Sequence, residues 1–419
     1  QKTAYEIRLS LVGSEMCIRD SLHSSLHKRG SSPTPSRLRD GVAFLYKIEF
    51  PFSFLGDNVR FSHESFYNLP RNDMSERVGI SAKVIADSVY DGSRLTTFEA
   101  TFPRFILAEF NTHRVISRNS ASSRAIPVWK RLSEVIRYPF IPLQFGKNKA
   151  GMQSAESVGV DDEDAAKRNW LVGRDAAVLQ AFALVGGEEQ VMKDSKGNPN
   201  ASAVCLQIRE LKTRYPNLSA NFSRLSDGVH KQHANRVLEP YAWHTVIMTA
   251  THWRNFYALR ASPMAQPEIQ VLAIAMAQAH AASAPIELAH DEWHLPYIFD
   301  EDRKEVSDPE SLARISSARC GRVSYLTHDG KRSLDADLSM ADSLQSNGHT
   351  SPFEHPATTH NPAKTSVNYL SGNFGDAWVQ YRKLLLNEHD FSKLITSEYL
   401  LEGMKGDESL SDFVLGLSQ

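Results

Sequence analysis

Between Val78 and Phe102 the chain runs two stretches, VGISAKVIADSV and RLTTFEATF, whose side chains alternate in polarity around a turn carrying Asp91 and Gly92. Alternation of period two is what a half-buried strand requires, because successive side chains leave opposite faces of a sheet. The two runs predict an antiparallel pair, and such a pair needs other elements to cover its apolar face. Helical signals follow. Pro103 stands where a helix can begin, with Phe105, Ile106, Leu107 and Phe110 giving it a buried character. The stretch 138–231 reads as helices joined by loops, one of them through Val178 to Ala183. Two further helices are predicted at Tyr241 to Arg260 and from Ser262-Pro263 onward, the first because Trp243, Ile247, Ala250, Tyr257 and Arg260 recur at helical spacing. A helix near Met340 to Ser346, an extended piece after His355 and a helix from Asp376 to Leu386 complete the expectation, and no fixed-period repeat is visible. The class implied is α+β, a mixed sheet flanked by helices.

Residues 1–75 differ from the rest, with a Ser/His/Pro/Arg-rich stretch lacking either period, and read as a disordered or non-native tail with Met74 as a sensible start. Residues 76–419 read as one catalytic domain with a helical insertion at about 140–230. A formal net charge of −2 gives no bulk attraction to nucleic acid or membrane. The longest apolar stretch, Val271 to Ala284, is too short to span a bilayer, so the expected location is cytoplasmic. Three scattered cysteines, Cys17, Cys205 and Cys320, fit a reducing compartment and no thiolate metal site.

The densest chemistry is THRVISRNSASSR, Thr112 to Arg124, with three arginines, one histidine and four serines in thirteen residues after a predicted buried helix. Arginine offers a planar fork for a phosphate and serine a short neutral donor, so the segment suits a phosphate-bearing ligand. A solvated Arg/Ser loop would look the same in composition. Two other blocks stand out: Trp253 to Glu268, WRNFYALRASPMAQPE, and Gly348 to His355, GHTSPFEH, preceded by Ala318-Arg319-Cys320.

The spacing of the first segment resembles the motif of the flavin-dependent thymidylate synthase family, Arg-His-Arg-x-x-Ser-x-Asn-x-x-Ser-x-Arg. His113, Arg114, Ser117, Asn119, Ser122 and Arg124 match in register, and Thr112 stands for the first arginine. In the second block Asn255, Phe256, Leu259 and Arg260 match, then Ala265, Gln266, Glu268 and Ile269; Asn235-Arg236-Val237-Leu238 with Pro240 is a looser likeness. GHTSPFEH is similar to the family's Gly-His-x-x-Pro-Phe-Glu-His, but here it follows the arginine motif by more than two hundred residues, so the motif order is permuted.

The resemblance implies a fold like that family's and an FAD-dependent reductive methylation of dUMP to dTMP, with methylenetetrahydrofolate and NADPH as cosubstrates, in a homotetramer. It implies that His113, Arg114, Asn255 and His355 bind the cofactor and that Ser122, Arg124 and Arg236 bind the nucleotide. Arg260 is implied as the catalytic residue, set against the uracil ring to stabilise charge at N3 or O2. Thr112, Thr249 and Thr251 depart from the family pattern and are expected to weaken the grip on FAD. A related flavin enzyme acting on another pyrimidine, or hydroxymethylating dUMP, would carry the same motifs. A metal-dependent hydrolase is disfavoured because His290-Asp291-Glu292-Trp293-His294 fails the HExxH order. A nucleic-acid module built on Trp243, Trp253 and Tyr257 is disfavoured because such a stripe belongs to a core. The expected metal set is none.

Overall fold

The computed structural model describes residues 79–388 apart from 152–153, 155, 325–332, 365–368 and 387; the tail of residues 1–75, with Cys17 and Met74, lies outside the described residues. β1 (Ser81–Tyr90) and β2 (Ser93–Pro103) pair antiparallel, as the alternation predicts. Asp91 and Gly92 both take positive φ, 46° and 71°, the mirror-image turn whose twist matches that of the strands it joins. A bulge between Val84 and Ala86 shifts the register once.

A single 3-10 turn at Arg104–Ile106 leads into α1 (Leu107–Asn111), then β3 (Ser117–Ser120). A helical lobe follows: α2 (Val128–Arg137), α3 (Val160–Leu184), α4 (Gly187–Asp194), α5 (Pro199–Arg214), α6 (Pro216–Ala220) and α7 (Lys231–Ala234). It has a core of its own, centred on Leu132, Val178, Val204, Ile208 and Leu238. Asn198 caps α5 by accepting the Asn200 backbone N–H, with Pro199 in the first turn.

The helix expected at 241–260 is a strand followed by a short helix. β4 (Trp243–Ala250) pairs with β2 from Thr96↔Ala250 to Pro103↔Trp243 and with β3 from Ser117↔Thr249 to Ser120↔Val246, and only Arg254–Arg260 is helical, as α8. Four of the eight strand residues, Thr245, Val246, Ile247 and Thr249, are β-branched, which favours the pleated surface over a helix. The next helix, α9 (Pro267–Ala282), opens on Gln266-Pro267 and not on Ser262-Pro263; Ser262 instead closes a turn, accepting the Met264 N–H on its hydroxyl. β5 (Ile286–Glu287) adds in parallel to β1, giving a five-stranded mixed sheet in the order β3-β4-β2-β1-β5.

One face of this sheet is apolar. Phe98, Ala100, Phe102, Val246, Met248 and Ala250 pack under α8 and α9 against Phe256, Ile269, Leu272 and Met276. The other face carries Thr97, Ile247 and Thr249 and is covered by the segment that follows. That segment holds β6 (Trp293–His294), α10 (Asp300–Glu305), α11 (Pro309–Gly321), α12 (Leu334–Ser346), β7 (Ala357–Thr359) and β8 (Trp378–Gln380). β8 and a 3-10 turn at Tyr381–Leu384 stand where a helix was expected from Asp376, because Trp378, Val379 and Gln380 are buried as the edge of the antiparallel sheet β6-β7-β8. Arg319 knits the three helices together, bridging Asp302 at 2.6 Å and Asp337 at 2.9 Å; all three side chains are buried, so each charge is compensated. No helix among the described residues is long and apolar enough to cross a membrane.

Candidate functional site

The arginine-rich segment begins where α1 ends, so its first residues are presented by a helix terminus anchored through Ile106 and Phe110 in the core. Thr112 donates its hydroxyl to the Glu109 carbonyl at 2.7 Å, and His113 folds inward, 6% exposed, with its ring edge-on to Phe256 at 5.0 Å. α8 brings Arg260 onto this corner. The Arg260 Nε donates to His113 Nε2 at 2.9 Å, and Nη2 donates to Thr112 Oγ1 at 3.0 Å and to the Glu109 carbonyl at 3.3 Å. Nη1 makes no hydrogen bond among the described residues, so the guanidinium is oriented from one side and open on the other.

Burial holds the His113 imidazole below its ordinary pKa, and the charges of Arg260 and Arg118 add to the effect. A neutral ring that accepts at Nε2 must carry its proton on Nδ1, which fixes the tautomer. Thr112 thus supplies an acceptor for Arg260, a part that an arginine at this position could not take.

β3 places Ser117 inward, accepting from Asn373 Nδ2 at 3.2 Å and Gln380 Nε2 at 3.1 Å. Asn119 donates to the Cys320 carbonyl at 2.9 Å and accepts from Ser351 Oγ at 3.2 Å, which joins the first block to the third, as Arg260 joins the first to the second. The loop after β3 then turns on Ser122, whose Oγ accepts the Arg124 N–H at 3.3 Å. The Arg124, Arg114 and Asn255 side chains are exposed and make no hydrogen bond or ion pair among the described residues. Arg236 is exposed and lies 3.7 Å from Glu239.

His355 does not join this group. It is 0% exposed, and its Nδ1 shares a proton with Thr249 Oγ1 at 2.8 Å while Nε2 is buried without a partner. Burial, with His294 nearby, takes its pKa down to about 3, so it is neutral. The exposed histidine of GHTSPFEH is His349. Thr249 belongs to the same interior, and Thr251 bonds His252 at 2.7 Å and the Phe374 carbonyl at 3.1 Å.

The histidines of HDEWH do not share a helix, since His294 is in β6 and Asp291 takes a φ of 63°. Cys205 and Cys320 are buried with thiols pushed up by burial, so neither is a ready nucleophile. A cavity of about 210 Å³ between Phe182, Glu188, Arg209 and Phe222 belongs to the helical lobe and shares no residue with the site. Glu239, Thr97, His294 and Gln380 are parts of the arrangement that motif reading misses, since each acts through contacts distant in sequence.

Comparison with known proteins adds to this geometry. Residues 94–286 match the family model of thymidylate synthase complementing protein. Among solved structures the chain is similar to a UMP/dUMP methylase PolB from Streptomyces cacaoi bound with 5-Br UMP, at 16% identity and a TM-score of 0.31, over 49% of this chain and 90% of that one. It is also similar to the flavin dependent thymidylate synthase ThyX from Helicobacter pylori complexed with FAD and dUMP, at 21% identity and a TM-score of 0.23, over 44% of this chain and 67% of that one. No curated protein matches the chain.

Proposed function

We propose, from the match of residues 94–286 to the family model of thymidylate synthase complementing protein, that this chain is a flavin-dependent thymidylate synthase, methylating C5 of dUMP with methylenetetrahydrofolate as carbon donor and NADPH as electron source. The observation that carries the reading is Arg260, fixed on His113, Thr112 and the Glu109 carbonyl with Nη1 left open. A guanidinium held this way is a preorganised positive group, charged at any working pH and able to meet the edge of a pyrimidine in plane.

Arg114, in the turn after α1, and Asn255, on α8, are exposed side chains without partners among the described residues, and would be free to hold FAD. When bound, reduced flavin supplies the hydride that completes the methyl group. The chain's own residues do the rest. Arg260 stabilises negative charge on N3 or O2 of the uracil, which makes C5 nucleophilic toward the incoming carbon. His113, kept neutral by burial, accepts from Arg260 and so holds it without opposing its charge. Ser122, Arg124 and Arg236 take the phosphate and sugar. The sites are shared between subunits of a homotetramer in this reading.

The test is direct. Purified protein loaded with FAD and desalted is expected to keep a flavin spectrum that NADPH bleaches, and mass analysis is expected to show dTMP formed from dUMP. Arg260→Ala should lower turnover by at least about 10²-fold with flavin still bound, the scale for removing one preorganised donor. A protein that retains no flavin sinks the reading, and a product carrying a hydroxymethyl group reassigns the reaction.

A further inference from the structure

Glu239 carries no role in the motifs, yet one hydroxyl donor and two guanidinium charges converge on one of its oxygens. Ser123 Oγ donates to Glu239 Oε1 at 2.6 Å, Arg104 Nε lies 3.0 Å from the same atom, and Arg236 Nη1 lies 3.7 Å from it. Ser123 sits between Ser122 and Arg124 in the loop after β3, whereas Arg236 and Glu239 belong to the 3-10 run Asn235–Tyr241. The two segments are more than a hundred residues apart in sequence. Asn235, buried, sews the same two together by donating to the Ser123 and Ile126 carbonyls at 2.8 and 2.9 Å.

The three groups differ in how firmly they are held. Arg104 is 14% exposed and bound also to His244 Nδ1 at 3.0 Å, and Ser123 is buried, so these two fix the carboxylate. Arg236, 58% exposed, is the free end, and the fixed carboxylate restricts where its guanidinium can go. An arginine left to itself samples many rotamers, and a ligand must then meet the cost of ordering it.

We propose that Glu239 is a positioning residue for nucleotide binding: it ties the Ser122–Arg124 loop to Arg236, so that groups from both segments face one phosphate together. The proposal rests on the reading that Ser122, Arg124 and Arg236 take the phosphate of dUMP. It has a consequence opposite to simple electrostatics. A carboxylate near a phosphate site repels the ligand, so removing its charge should tighten binding if repulsion were its main effect. If positioning dominates, removal weakens binding.

The experiment measures equilibrium dissociation constants of dUMP and of deoxyuridine, which lacks the phosphate, for the FAD-loaded wild type, Glu239→Gln and Ser123→Ala. Glu239→Gln changes no volume and keeps an acceptor for Ser123; Ser123→Ala leaves every charge in place and cuts only the loop end of the tie. The expected result is dUMP affinity about tenfold weaker in Glu239→Gln and weaker in the same direction in Ser123→Ala, with deoxyuridine affinity unchanged. Unchanged or tighter dUMP binding in Glu239→Gln, or a wild-type value in Ser123→Ala, overturns the proposal. A wild type that binds no dUMP would instead remove the functional reading beneath it, so the two failures are told apart.

Discussion

Thr96 and Thr97 are neighbours on β2, and because strand side chains alternate, each enters a different buried network of hydroxyls and imidazoles on its own side of the sheet. Thr96 donates to Asp87 Oδ1 at 2.9 Å, so its oxygen is left to accept from His280 Nε2 at 3.1 Å, and His280 Nδ1 can then only accept from Tyr257 at 3.2 Å. Arg94 forks onto the same carboxylate at 2.9 and 2.6 Å. Every proton on this side has one place to be, because the chain ends on a charge.

The Thr97 side has no such end. Ser88 Oγ meets His294 Nδ1 at 2.9 Å, His294 Nε2 meets Thr97 Oγ1 at 2.7 Å, Thr97 meets Thr249 Oγ1 at 2.7 Å, and Thr249 meets His355 Nδ1 at 2.8 Å. With two neutral rings and one proton per hydroxyl, the bonds can all run one way or all run the other. In one arrangement both histidines carry hydrogen on Nδ1, in the other both carry it on Nε2. The unpartnered His355 Nε2 is accordingly a lone pair in the first and a donor in the second. A carboxylate at the end of a network decides its direction; without one the network has two.

The largest effect that sharpens this contrast is the response to acid. Burial takes both His294 and His355 down to about 3, from an ordinary value of 6.5. The unfolded chain therefore binds these protons first, and the stability they confer is present near neutrality and lost as pH falls below about 6.5. Between pH 7 and pH 5 each ring should contribute a loss of about 2 kcal/mol, read from urea midpoints. Asp87 behaves differently: burial raises its pKa, but hydrogen bonds from Arg94, Ser283 and Thr96 and the charge of Arg94 hold it net below 3.8, so its contribution fails only in stronger acid. A flat profile from pH 7 to 5 would break the distinction.

Next in size is Asp87→Ala, which leaves Arg94 without its carboxylate at a partly buried site and should cost about 2–3 kcal/mol, measured by urea unfolding at pH 7. Thr97→Val keeps the strand's β-branched shape and removes the central hydroxyl of the uncharged chain, for about 1–2 kcal/mol. The smallest effect is spectroscopic. Nitrogen-15 shifts of the imidazoles should report one shared tautomer for His294 and His355 in the wild type and independent tautomers in Thr97→Val; opposite tautomers in the wild type would end the two-direction account.

What was legible in the sequence follows the range of the forces involved. The β1–β2 hairpin and the Thr112–Arg124 segment are local, and alternation, turn residues and spacing announce them. β4 reads as helix in the sequence because Trp243, Ile247 and Ala250 fall at helical intervals by coincidence, while a strand covered on both faces shows no polar alternation. The start of α9 was displaced because two serine- or glutamine-proline pairs compete and only tertiary packing chooses Gln266-Pro267. Burial of His355 was illegible for a different reason. Its motif names a residue type and spacing, but the partners that hide it, Thr249 and the sheet beneath, lie over a hundred positions earlier.

The bonds from Gln380 and Asn373 back to Ser117 bear on how the molecule is made. They span 263 and 256 positions. A ribosome adding roughly 5–20 residues per second needs about 13–50 s to go from one end of that span to the other. For the last part of it, from Ala282 at the end of α9 to Gln380, β2, β3 and β4 can already have one face packed under α8 and α9 while Ser117 still waits for its partners. The site therefore assembles in order, the Arg260–His113 corner before the bonds to Ser117, and a nascent chain stalled before Trp293 presents an uncovered threonine face to whatever else is in solution.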